Sequence, residues 1–472
     1  MSYGHAEKIA AIVAGTPAAG SEKPTPPIDP TLYQRDDMRT ILAARDIAAL
    51  YRVLEDAGFT QRDIARLTGQ SQSEVCDILA GRRVLSYDLL VRITEGLAIP
   101  RELMGISYGA YRGEVTVASP EGVDKQMLRR QVIELGASVA VGAPAAKLAQ
   151  LLERLELGDP SPVPLPSQLG AVHVAKVRGL TRQLNEAAST PSGSDPELSS
   201  AAAGWATRLL DVSGPESVKQ ALKTAVGELH IRAGWSGFDG GLYDRAMHHY
   251  GHALKLATEA RDTYLQVLAL AYAGLATQEH GQPDDGLKML QVGGATALDI
   301  PPDEQRAVVV GESGRAAVQA VVLMDEATAL SRLDYPEAAR AADTALAKAR
   351  ELWQPTPADP YGDLDRPAAC LKLERGHLDA AEPFAVASLR RWEGGSQVSL
   401  TQSSIVLAAI HVRAGEPRGF ALAHSAITNA GRLTSVRARK RLEPLVAALA
   451  ARRGADAEQL ARMARQVAAT RA

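Results

Sequence analysis

The strongest constraint on this chain is a spacing that recurs through its second half. A turn residue is followed three, seven and ten positions later by residues that are mostly small. The copies are Tyr243, Ala246, Tyr250, Ala253; Pro283, Gly286, Leu290, Gly293; Tyr335, Ala338, Ala342, Ala345; Leu378, Ala381, Ala385, Ser388; and Pro417, Phe420, His424, Ile427. Positions so spaced share one helix face, and small side chains there let a second helix approach closely. Gly241, Gly281, Gly376 and Gly415 each stand two places before the turn residue; Leu333 holds that place in the third copy. The pattern therefore predicts helical hairpins, and hairpins in series stack into a solenoid. The copies begin 40, 52, 43 and 39 residues apart. The first fits the pattern best, the second and fifth least.

Composition agrees with close-packed helices. Hydrophobic residues make up 46% of the 472 residues but aromatics only 4%, which disfavours β-sandwiches built from aromatic and β-branched strands. The length suggests roughly three domains, or one domain and a repeat array. Cys76 and Cys370 are too few for a disulfide framework or a cysteine-rich zinc site, and both suit a reducing compartment. No stretch of 18 apolar residues is uninterrupted; the best, Val132 to Leu152, contains Glu134, Pro144 and Lys147. Arg129 and Arg130 precede it in mid-chain, and the N-terminus lacks a basic segment followed by an apolar one. The expected location is cytoplasmic, with no membrane partner.

Residues 1–30 read as a proline-rich disordered tail. Residues 31–112 form the first expected domain. Residues 113–196 read as a connector with one or two helices between Val123 and Leu157, and a stiff linker at Pro160, Pro162, Pro164 and Pro166. Residues 197–472 hold the repeats. Charge is uneven: 413–472 carry twelve Lys or Arg against four Asp or Glu, so the remaining residues sum to -11 within a total of -3. A basic end permits contact with an acidic surface or nucleic acid, although a solvated helix face is the commoner meaning.

The most informative segment is Thr60 to Arg83, TQRDIARLTGQSQSEVCDILAGRR. Thr60 with Asp63, and Ser71 with Glu74, are capping boxes or close variants, so two helices start eleven residues apart. Gly69 supplies the left-handed residue of a tight turn between them. Ile64, Ala65 and Leu67 face inward from the first helix, and Val75, Ile78 and Leu79 from the second. Ile41, Ile47, Leu50, Val53 and Leu54 fit one supporting helix upstream; Leu89, Leu90, Ile93 and Leu97 fit one downstream. Cys76 reads as a buried structural thiol. Two short helices joined by a glycine turn in a helical cluster make a helix-turn-helix.

From residue 38 to 105 this order closely resembles the Cro/cI-repressor-type (XRE) DNA-binding domain. The resemblance implies that Gln61 bonds a DNA phosphate, where a helix N-terminus is itself favourable. It implies that the second helix enters the major groove and presents Gln70, Ser71, Gln72 and Ser73 to base edges. Arg82 and Arg83 would clamp the backbone. For Ser71, capping alone is an equally good reading. Between Arg35 and Met104 there are ten basic and eleven acidic residues. Phosphate contacts dominate DNA affinity, so such a module needs two copies, and a homodimer on a palindromic operator is expected.

The repeats resemble tetratricopeptide repeats, whose period is about 34 residues. A repressor-type helix-turn-helix before such repeats is similar to multidomain regulators of high-GC bacteria, as are the segments "AGWSGFDGGLYDRAMHHYGHALKLATEARD" and "LTSVRARKRLEPL". The resemblance implies a peptide, small-molecule or protein effector held by the repeats. Groove candidates on the first helices of the hairpins are His230, Trp235, Tyr272, Gln278 and Arg375.

Signals for catalysis are incomplete. His248 and His252 lie one helical turn apart but have no third ligand, so no metal site is assigned. Gly234, Gly237, Gly240 and Gly241 lack the Gly-Lys-Ser/Thr of a phosphate loop and read as an inter-helix turn. No catalytic residue and no cofactor is assigned. The expected fold is all-α: a five-helix helix-turn-helix domain, then a tetratricopeptide-like α-solenoid. The expected function is ligand-controlled transcription regulation. The alternative is a protein-interaction adaptor whose helix-turn-helix does not bind DNA.

Overall fold

The computed structural model describes residues 30–104, 165–188, 194–302, 314–355 and 362–470. The expected tail, the helices between Val123 and Leu157 and most of the proline-rich linker lie outside these residues. Among the described residues every regular element is helical, so the fold is all-α. The chain divides into two compact units, Met1–Arg82 with Arg92–Ile99, and Arg83–Val91 with Pro100–Ala472.

The first unit holds α1 (Asp36–Ala43), α2 (Ile47–Asp56), α3 (Gln61–Thr68) and α4 (Gln72–Leu79); α5 (Tyr87–Gly96) runs across the boundary between the units. The single helix expected upstream of Thr60 is two helices. Arg45 takes a left-handed φ of 53°, and the Asp46 carboxylate then accepts the Ala49 amide at 2.9 Å to start α2. Met38, Leu42, Leu50, Tyr51, Leu54, Ile64, Val75, Ile78 and Ile93 are buried. Leu67 and Leu79 are only partly covered.

The second unit begins earlier than the sequence indicates. Helix α6 (Ala171–Ala188), placed in the connector by sequence, shares one apolar cluster with α7 (Pro196–Arg208) and α8 (Glu216–Asp239) through Val174, Val177, Leu184, Trp205 and Leu229. The hairpins follow. Helix α8 pairs with α9 (Tyr243–Glu259), α10 (Thr263–Glu279) with α11 (Pro283–Thr296), α12 (Arg315–Ser331) with α13 (Pro336–Leu352), α14 (Asp365–Glu374) with α15 (Leu378–Trp392), and α16 (Gln397–Ala414) with α17 (Gly419–Gly431). Short helices α18 (Val436–Lys440) and α19 (Glu443–Ala450) and the longer α20 (Ala455–Ala469) end the unit.

The recurring motif marks the second helix of each hairpin. Ala246, Ala253, Ala338, Ala342, Ala381 and Ser388 are fully buried. The second copy is as closely packed as the rest, because a Cβ on Gly286 would lie 2.7 Å from the Gly274 oxygen across the hairpin. The fifth copy is shifted. His424 is exposed and Ile427 alone of the copy is fully buried, beside Gly419, Ala423, Ala426 and Ala430 on α17. The turns at Gly241, Gly281, Gly376 and Gly415 use φ of 79°, 89°, 78° and 82°, a region glycine enters without strain. Gly234 and Gly237 lie inside α8 rather than in a turn. A Cβ on Gly234 would meet the Tyr250 ring at 2.5 Å, so the glycine is what lets α9 pack so closely.

Candidate nucleic-acid interface and effector site

Local chemistry sets the α3–α4 geometry. Thr60 Oγ1 accepts the Asp63 amide at 3.2 Å while Asp63 accepts the Thr60 amide at 3.0 Å. Ser71 and Glu74 repeat this at 3.2 and 2.7 Å. The hydrogen bonds from Ser71 hold the Glu74 carboxyl below the usual range. Gly69 turns the chain with φ 64°, and its carbonyl accepts from Arg92 Nη1 at 3.0 Å. Arg52 Nη2 donates to the Leu79 carbonyl at 3.1 Å, satisfying the far end of α4. Helix α5 lies against α3 without a gap: a Cβ on Gly96 would fall 1.8 Å from the Leu67 oxygen.

The residues expected to read DNA do not all face outward. Gln72 and Ser73 are exposed on the first turn of α4, with Cys76 and Asp77 one turn on. Arg62 Nε donates to Gln72 Oε1 at 3.3 Å. Ser71 is exposed and its hydroxyl is spent on the cap. Gln61 is half-buried, donates to Glu55 Oε1 at 3.0 Å and accepts from Cys76 Sγ at 2.9 Å. Cys76 is therefore an exposed thiol and not the buried one expected. Gln70 needs correction too: it is buried, and its Oε1 accepts from Tyr51 and, at 2.9 Å, from Thr68. It braces the turn and cannot reach a base edge. Arg82 faces Asp77 at 3.9 Å. Arg83 groups with the second unit, where its guanidinium lies 4.6 Å from the Tyr335 ring centre and 3.8 Å from Asp284. It is not an unengaged clamp.

In the second unit the groove candidates separate. His230 is buried among α7, α8 and α9 and is withdrawn from any groove. Thr207 gives its proton to the Ala203 carbonyl at 2.9 Å, so it accepts from His230 Nε2 at 2.8 Å. His230 Nδ1 is then an acceptor for His249 Nδ1–H at 3.0 Å, and His249 Nε2 accepts from Ser200 at 3.0 Å. This directed chain requires neutral imidazoles. Burial and the neighbouring histidines keep His230 well below its usual value, and burial takes His249 down to about 3. His252 stacks on His230 with ring centres 5.0 Å apart, whereas His248 bonds the Asp244 carbonyl at 2.8 Å.

Arg375 is also withdrawn. It ties α14 to α13 through Asp343 at 2.6 Å and the Ala339 carbonyl at 2.8 Å. Trp235 and Tyr272 do come together, edge to face at 5.4 Å. Gln278, also on α10, is buried and donates to the Asp325 carbonyl at 3.1 Å.

Sequence reasoning missed what covers this face. The basic C-terminal segment folds back onto it across almost two hundred residues of chain. Ser435 donates to Asp239 Oδ1 at 2.7 Å while capping α18 through the Ala438 amide. The Arg437 guanidinium lies 4.6 Å from the Trp235 ring centre and 5.1 Å from that of Phe238. It stands 3.8 Å from both Asp239 and Glu279, and Arg441 pairs with Glu279. Despite burial, Arg441 and Arg437 hold the Glu279 carboxyl below its usual range. Burial, then Glu279, pushes Asp325 up to about 8. The signal available in sequence was the run Arg437, Arg439, Lys440, Arg441.

Among the described residues, one further cluster has donors suited to a metal, Glu382, His411 and Glu416, and the Arg418 guanidinium already bridges its two carboxylates at 3.0 and 2.9 Å. No described helix is long and apolar enough to cross a membrane. Compared with known proteins, the chain matches no family model and no curated protein.

Proposed function

We propose that the protein is a sequence-specific DNA-binding transcription regulator that acts as a cytoplasmic homodimer, with an effector held by the helical repeats. The observation that carries this reading is the α3–Gly69–α4 unit. Both helices are capped by reciprocal bonds, the turn is left-handed, and Gln72 and Ser73 stand exposed at the N-terminus of α4. An exposed glutamine at that place can pair with both edge atoms of adenine, while serine accepts several bases. Near-neutral charge across Arg35–Met104 gives one copy little affinity for phosphate. Two copies on a palindromic site supply the rest. An effector acts only by favouring one arrangement of the two reading heads over another. Such a regulator needs no catalytic step and no cofactor.

The same near-neutral charge favours a second reading, an adaptor whose helix-turn-helix makes no DNA contact. Selection of genomic fragments by the purified protein near physiological salt separates the two. Enrichment of a palindromic motif supports the regulator. Absence of any motif at every salt concentration, with and without cell extract as a source of effector, supports the adaptor.

A further inference from the structure

We infer that the face formed by Trp235, Phe238, Asp239, Glu279 and Asp325 is a binding site for a planar organic cation of the guanidinium class, in which Arg437 of the same chain is a displaceable occupant. The inference deepens the effector part of the proposed function by naming the ligand chemistry.

The occupant reveals what the site prefers. A guanidinium stacked over an indole and flanked by two carboxylates gains cation–π and Coulomb attraction together. Yet the fit of Arg437 is loose. Its side chain is nine-tenths buried, but both carboxylates stand 3.8 Å away, beyond hydrogen-bond reach. Its Nε and Nη1 are buried without an acceptor. A buried guanidinium with unmade hydrogen bonds is held below its full strength, so a small cation free to settle closer to Asp239 and Glu279 competes with it.

The charge around the site leads to the same class of ligand. Asp239, Glu279 and Asp325 face Arg437 and Arg441, with Arg332 also acting on Asp325 and with Arg366 engaged at 3.8 Å by Asp363. Asp325 keeps its proton to about pH 8, mainly because burial penalises its charged form. Gln278 Oε1 beside it is a buried acceptor with no donor. A ligand carrying several N–H groups on a positive plane supplies that donor while meeting the Asp239 and Glu279 carboxylates.

The test is chemical rescue in the full-length chain without DNA, so its failure leaves the DNA reading untouched. Arg437→Ala removes the occupant. The probes are methylguanidinium and its neutral isostere methylurea, at matched ionic strength and below denaturing concentration. The expected result is a melting temperature lowered by Arg437→Ala and raised again by methylguanidinium, with methylurea at least tenfold less effective and the wild-type protein responding more weakly. Adding Asp239→Asn to Arg437→Ala abolishes the rescue. Equal responses to the two probes, or none to either, overturn the inference. If Arg437→Ala does not fold, calorimetric titration of the wild-type protein with the same two probes decides: charge-selective binding supports the site and its absence rejects it.

Discussion

Acidification should weaken the second unit through its buried imidazoles, by an amount the structure fixes. His249 and His252 titrate at about 3 and about 4 in the folded chain, mainly because burial penalises their charged forms. In the unfolded chain both return to about 6.5. Each folded value is depressed, so the unfolded state binds more protons between these limits, and stability is lost as pH falls below about 6.5. Between pH 7 and pH 5 each histidine removes about 2 kcal/mol, or about 4 kcal/mol for the pair, and His230 acts in the same direction. Asp325 opposes this: its folded value of about 8 lies above its unfolded one, so its contribution grows as pH falls. The informative quantity is therefore a difference between proteins. Urea unfolding followed by far-ultraviolet circular dichroism at pH 7 and pH 5 compares wild type with a His230→Asn, His249→Gln, His252→Gln variant. Wild type should lose at least about 4 kcal/mol more than the variant over this interval, because His230 adds to the pair. Equal losses would refute the assignment of neutral buried imidazoles.

Three substitutions test other parts of the fold. Gly96→Ala forces a methyl to within 1.8 Å of the Leu67 oxygen, and should destabilise the first unit by at least the roughly 1–3 kcal/mol of an overpacked core, read as lost amide protection in α3. Ser71→Ala removes the α4 cap and should cost about 1 kcal/mol in thermal unfolding of that unit, with no loss of the fold. Trp392→Phe takes away one of the donors to the buried Asp363 carboxylate, the indole N–H at 2.8 Å; it should cost about 1–3 kcal/mol, whereas a neutral result would mean that Ser388 and Arg366 suffice.

How far the sequence could be read depended on the reach of each interaction. Caps and turns act within four residues, so Thr60, Gly69, Ser71 and the hairpin glycines announced the helix-turn-helix and the repeats. The small residues at fixed spacing did the same for the second helix of each hairpin. Gln70 looked like a base reader because its partner Tyr51 lies nineteen residues away on another helix. His230 looked like a groove residue because periodicity does not show that Thr207 and His249 enclose it. The fifth repeat slipped register because Pro417 resembles the start of a helix that begins at Gly419. Arg437 and Asp239 are far apart in sequence, and no local pattern pairs them. A basic run reads as solvated until tertiary structure supplies its carboxylates.

The central claim is that α4 reads DNA through its first turn. The most direct measurement is the affinity of wild type and of a Gln72→Ala, Ser73→Ala variant for the motif recovered by genomic selection and for a scrambled duplex, at one fixed salt concentration. Neither side chain is buried and neither closes a cap, so folding should be unaffected. The account predicts a loss of roughly tenfold or more on the motif, from about 1–3 kcal/mol per base contact, with the scrambled duplex bound unchanged. Equal affinity of the two proteins for the motif would contradict it.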